Sequence, residues 1–149
     1  MPDSNDYLIL AERDYKTCLL AEKEFPDEYA VTAAAYHMQQ AIEKTLKGLI
    51  LMYGETPEFT HNIAKLRVHS ERLGIELPEE LDDISDTLTA WESTLRYDPF
   101  INFSEKKYSK AKKIYDELYG ALKQEINMVK NIEENLQEEP EEDPGMAMS

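Results

Sequence analysis

The stretch DEYAVTAAAYHMQQAIEKTLKGLILMY, residues 27–53, decides the fold. Ala30, Ala33, Ala34, Ala41, Ile42, Leu46, Leu49, Ile50 and Tyr53 recur at helical steps, with His37 among them. This apolar stripe covers more than one face. A helix of that kind sits at the centre of a bundle. Gly54 supplies a left-handed stop, and Pro57 prevents the helix from resuming.

The neighbours of this segment read as further helices. Before it, Ser4 to Phe25 begins with Ser4 as N-cap and Asp6 in the first turn, and Pro26 ends it. Tyr7, Leu8, Ala11, Tyr15, Cys18, Leu19 and Glu22 form its inward face. After it, Thr60 is the expected N-cap of a short helix carrying Ile63, Leu66 and Leu73, stopped by Gly74. Pro78, Glu79 and Glu80 suit the first turn of a fourth helix. Leu81, Ile84, Leu88, Trp91 and Leu95 face inward there, and Asp98-Pro99 breaks it. Ser104 caps a last helix, from Glu105 to about Leu136, whose stripe runs from Tyr108 to Val129. No strand alternation and no internal repeat are present. The expectation is an all-α protein: an antiparallel up-and-down bundle of four to five helices over residues 1–136. An acidic, disordered tail follows over residues 137–149.

Composition narrows the function classes. Among 149 residues, 16 are Lys or Arg and 31 are Asp or Glu, a net charge of −15. Many of the acids crowd the C-terminal end, but the remainder is still negative. That is not the basic footprint duplex DNA demands, although a local basic groove stays compatible with it. No apolar run reaches the ~20 residues of a membrane span. The acidic N-terminus does not read as a secretory signal. The single Cys18 has no partner within the chain for a disulfide. A cytoplasmic protein is expected.

Few motifs carry chemistry. One Glu-x-x-His spacing, Glu58 to His61, lies at a loop-to-helix junction and has no second copy, so no metal centre is expected. Phosphate-loop, dinucleotide and nucleophile-elbow signatures are absent, and no cofactor is implied. Cys18 reads as packing, His37 as a buried or interface histidine, and His69 as a surface residue. Glu43-Lys44 reads as an exposed charged face. Alternatively, Lys44 and Lys47, at i and i+3, border a polar groove.

The run Ala34-Ala35-Tyr36-His37-Met38-Gln39-Gln40-Ala41-Ile42-Glu43-Lys44-Thr45-Leu46-Lys47-Gly48-Leu49 resembles the second helix of HEPN domains. Gly54, Pro57, the set Thr60-His61-Asn62-Ile63 with Leu66, and Arg96-Tyr97 before the last helix follow in the matching order. The likeness covers about residues 5 to 130. It implies a helical bundle, commonly a homodimer, tied to RNA and nucleotide biology. Many members are metal-independent ribonucleases, often toxins encoded beside a minimal nucleotidyltransferase. Their hallmark is an Arg followed, after four to six residues, by a His. Attack of a 2′-hydroxyl on phosphate needs such a proton-transfer group beside a cation.

This chain departs from that hallmark. After Arg96, the histidine positions hold Ile101, Asn102 and Phe103, and Arg13, Arg67 and Arg72 have no His at that spacing either. Asn102 can hydrogen-bond but cannot exchange a proton near neutrality. No catalytic residue is assigned. Arg96-Tyr97-Asp98-Pro99 is instead similar to an Arg-Tyr-Pro-Asp pattern of non-nuclease members, with the last two residues exchanged. The expected function is a homodimer that binds a nucleotide, RNA or a minimal nucleotidyltransferase partner. Its candidate contacts are Arg96, Tyr97, Asn102, His61, Lys44 and Lys47. Two other readings stay open: a ribonuclease using a displaced histidine such as His61, and a purely structural dimer.

Overall fold

The computed structural model describes residues 1–138. Five helices follow one another: α1 (Ser4–Glu22), α2 (Glu28–Met52), α3 (Ile63–Arg72), α4 (Glu80–Ser93) and α5 (Glu105–Glu138). A single 3-10 turn, Thr94–Arg96, extends α4. Among the described residues there is no strand. The expected tail lies largely outside them, and its described start, Gln137 and Glu138, is helical.

The central helix is α2, which packs against all four others. Ala34, Ala35, Met38, Ala41, Ile42, Leu46 and Ile50 are fully buried along it. Its surplus apolar surface is therefore consumed inside one chain. The small side chains let α1 approach closely on one side. α5 runs antiparallel to α1, with Tyr108 beside Glu22, Tyr115 stacked on Tyr15, and Tyr119 beside Glu12. Leu122 then fills the space above Gly48, and Tyr7 closes the same spot.

Several local expectations need correction. The N-cap of α1 is Asp3, which forms a capping box with Asp6; Ser4 donates its hydroxyl to the Gly48 carbonyl instead. Asn62, not Thr60, caps α3, because Thr60 Oγ1 accepts from the Asn62 amide one step earlier. Leu19 and Val129 are exposed, not inward. Val129 lies where α5 has already passed the start of α1. His69 is mostly buried, its Nε2 2.7 Å from a Glu55 oxygen.

The two helical glycines should respond oppositely to alanine. A Cβ on Gly120 meets nothing, so Gly120→Ala should raise stability by about 0.5–1 kcal/mol through helix propensity. A Cβ on Gly48 would sit 2.7 Å from Leu122 Cδ2 and 3.3 Å from Tyr7 Cβ. Gly48→Ala should lose about 1 kcal/mol net, overpacking outweighing propensity. Urea melts of both variants check the opposite signs.

Candidate functional site

The polar side of α2 is where charge enters the bundle. Two carboxylates are buried there, and each is shared between a histidine and a lysine. Asp14 of α1 is 5% exposed. Its Oδ1 lies 2.7 Å from His37 Nδ1, and its Oδ2 accepts from Lys44 Nζ. Glu43 is 3% exposed. Its Oε1 accepts from His61 Nδ1 at 2.9 Å and from Gln39 Nε2 at 3.2 Å. Its Oε2 accepts from Lys47 Nζ at 3.1 Å. An ionised carboxylate only accepts, so in both pairs the imidazole Nδ1 carries the hydrogen.

Burial alone would push the Asp14 carboxyl up. The hydrogen bonds from His37 and Lys44 outweigh it and hold the group below its ordinary value. The Tyr36 hydroxyl is raised, by burial first and then by the carboxylates of Glu92, Asp14 and Glu43. All three acids therefore lie within electrostatic reach of one phenol. Burial pushes the Cys18 thiol up to about 12. It donates to the Ala34 carbonyl and is not a nucleophile.

The segment between α2 and α3 completes the arrangement. Gly54 turns the chain with φ +89°, and Pro57 is buried beneath the loop. Gln39 Nε2 donates to the His61 carbonyl at 3.1 Å, so α2 holds both the backbone and the ring of His61. Phe59 is fully exposed, with Lys47 Nζ 6.0 Å from its ring centroid. The result is an exposed aromatic face and a half-exposed imidazole on one ridge, with the Lys47 ammonium buried against Glu43 beside them. His61 Nε2 is the ring nitrogen that the Glu43 contact leaves free.

The six candidate residues do not form one cluster. His61 and Lys47 meet through Glu43. Lys44 turns away to Asp14, so Lys44 and Lys47 do not border a common groove. Arg96 is exposed and donates to both oxygens of Glu92, which raises its guanidinium further above the usual range. Tyr97 is exposed. Asn102 lines a separate hollow of about 280 Å³ with Trp91 and Lys107. Glu43 is buried, not part of an exposed face, because a lysine, an imidazole N–H and an amide replace its water. Sequence reasoning missed Asp14 and Phe59. Asp14 lies one turn from Ala11 and Cys18 on the buried face of α1, and that register was the available signal.

The family model for the HEPN domain matches residues 5–137. The chain belongs to the HEPN domain family. No curated protein and no solved structure compared with it gives a match. For this HEPN domain, no helix of the described residues is long and apolar enough to cross a membrane. Among the same residues, no three metal-ligating side chains are grouped.

Asp14 gives a pH-dependent prediction. A lowered carboxyl pKa contributes stability in full above the unfolded value of about 3.9 and loses it as pH falls through the folded value. Asp14→Asn should cost about 1–3 kcal/mol at pH 7. The gap to the parent should close as the pH falls below about 4. Denaturant melts at pH 7, 5 and 3 measure it.

Proposed function

We propose that this HEPN domain binds a nucleotide or RNA, acts as a cytoplasmic homodimer, and works beside a minimal nucleotidyltransferase in a toxin–antitoxin-like pair. The observation that carries the binding reading is the exposed Phe59 ring beside Lys47 and the Glu43-held His61. A bare aromatic face stacks any base, and Lys47, buried in its ion pair with Glu43, stands behind it as a local charge and not as a free contact. Arg96 and Tyr97 supply an exposed cation and a second exposed ring, and Asn102 a polar edge. Lys44 and Lys47, committed to Asp14 and Glu43, are the weakest of the six candidates.

The dimer rests on α5. Beyond Ile126 the helix continues to Glu138, about 18 Å at 1.5 Å per residue. Met128, Val129, Ile132 and Leu136 fall on one exposed stripe there. Asn131 and Asn135 border one side of this stripe and Glu133 the other, so a second acidic copy can approach along the asparagine edge without facing carboxylates there. A symmetric pairing buries the same stripe twice. Ile132→Glu should convert the dimer to a 17.3 kDa monomer in sedimentation runs at micromolar concentration. A parent chain that is itself monomeric would remove the proposal.

Binding at Phe59 is tested with a short fluorescent single-stranded RNA. Phe59→Ala should weaken it by about tenfold, the loss of one stacking contact. Equal affinity of parent and variant would contradict the assignment. A second reading has its own observation: the carboxylate-oriented imidazole of His61 is the geometry of a general base. Incubation of single-stranded RNA with the pure chain in EDTA separates the two. Intact RNA agrees with the binding reading; cleavage abolished by His61→Ala would replace it with a ribonuclease.

A further inference from the structure

A groove between α4 and α5 shares no residue with the site above. Its volume is about 490 Å³, within the range of small-molecule pockets. Lys106, Lys110 and Lys113 of α5 line it, at i, i+4 and i+7 on one stripe about 10 Å long. Like charges at that spacing repel. Neighbouring Lys112 is neutralised by Glu22, and Lys107 donates to Thr87. Among the described residues, the three groove lysines make no ion pair, in a chain whose acids outnumber its bases about two to one. Three uncompensated ammonium groups on one concave wall are suited to an anion from outside.

The other end of the groove differs. Glu80, at the start of α4, and Glu117 of α5 line it, with Ser109 along the wall and the side of Ile114 as an apolar contact. A second hollow, bounded by Glu76, Pro78, Glu117 and Ala121, places the start of α4 at the Glu117 end of α5. Carboxylates repel phosphate but accept hydrogen bonds from hydroxyls. The groove is thus cationic at Lys106 and Lys110, and hydroxyl-accepting at Glu80 and Glu117. We infer that it binds a phosphorylated sugar, free or as the ribose phosphate part of a nucleotide. The phosphates would lie against Lys106, Lys110 and Lys113, and the sugar hydroxyls against Glu80 and Glu117. This assignment stands on the groove alone and does not need the Phe59 site.

Calorimetric titration of the full chain with ATP, ribose 5-phosphate and inorganic tripolyphosphate tests it. At least one sugar phosphate should bind with a Kd of about 1 mM or tighter, and more tightly than tripolyphosphate. Which of the two binds distinguishes a nucleotide from a free sugar phosphate. The triple variant K106Q/K110Q/K113Q should lose about tenfold or more, with an unchanged helical circular dichroism spectrum. The double variant E80Q/E117Q is the sharper control. A nonspecific lysine patch would bind anions more tightly once these carboxylates are gone, whereas a sugar-reading groove binds more weakly. Phe59→Ala should leave this binding unchanged, so failure here and failure of the Phe59 site are separable. The inference is overturned by an absence of saturable binding, by insensitivity to the lysine variant, by tripolyphosphate binding as well as the sugar phosphates, or by tighter binding to E80Q/E117Q.

Discussion

The Glu43 carboxylate is the constraint on which the functional half of the molecule depends. A carboxylate that is 3% exposed must be compensated where it lies, because water cannot reach it. Lys47 compensates it within α2, and His61 compensates it from the next segment. The second of these contacts crosses from helix to loop. It sets where the chain goes after α2, and with it the position of Phe59 and the start of α3. Ion pairs of this kind add little net stability, since desolvation offsets most of the attraction. Their effect here is on placement.

Asp14 repeats the device between α1 and α2, with His37 and Lys44. The α1–α2 pair and the passage from α2 to the next segment are thus each joined by one shared carboxylate, the first beside an apolar seam. The apolar seam fixes that the helices pack. The carboxylate fixes which turn meets which, because a one-turn slip would strand a buried charge. Arg96 stands outside this scheme. Its partner Glu92 is on the same helical run, so the arginine extends from the bundle without tying two parts of it together.

Most of the fold was legible because apolar spacing is local information. The stripe from Ala30 to Ile50 named the central helix, and Gly54, Gly74 and the prolines marked the breaks. Helix starts were less legible: Asp3 against Ser4 and Asn62 against Thr60 lie one and two positions apart with similar capping chemistry, and a tertiary contact to Gly48 decided the first and a local bond from the Asn62 amide the second. Val129 kept the helical period but outran its partner, and helix overhang cannot be read from period. The site was read in part. His61 and Lys47 were singled out, but Glu43 looked like surface charge, since burial of this acid also depends on His61, brought from the next segment. Lys44 and Lys47 share a helix face on paper; Asp14, from α1, pulls one of them away.

The most direct measurement is amide hydrogen exchange across residues 55–66 in the parent and in Glu43→Ala, together with their unfolding free energies. If Glu43 holds the loop, the amides of Asn62 and Ile63 should exchange about tenfold faster or more in the variant, and stability should fall by about 2–4 kcal/mol. Exchange unchanged at these amides, with stability within about 0.5 kcal/mol of the parent, would contradict the claim that this carboxylate places the site.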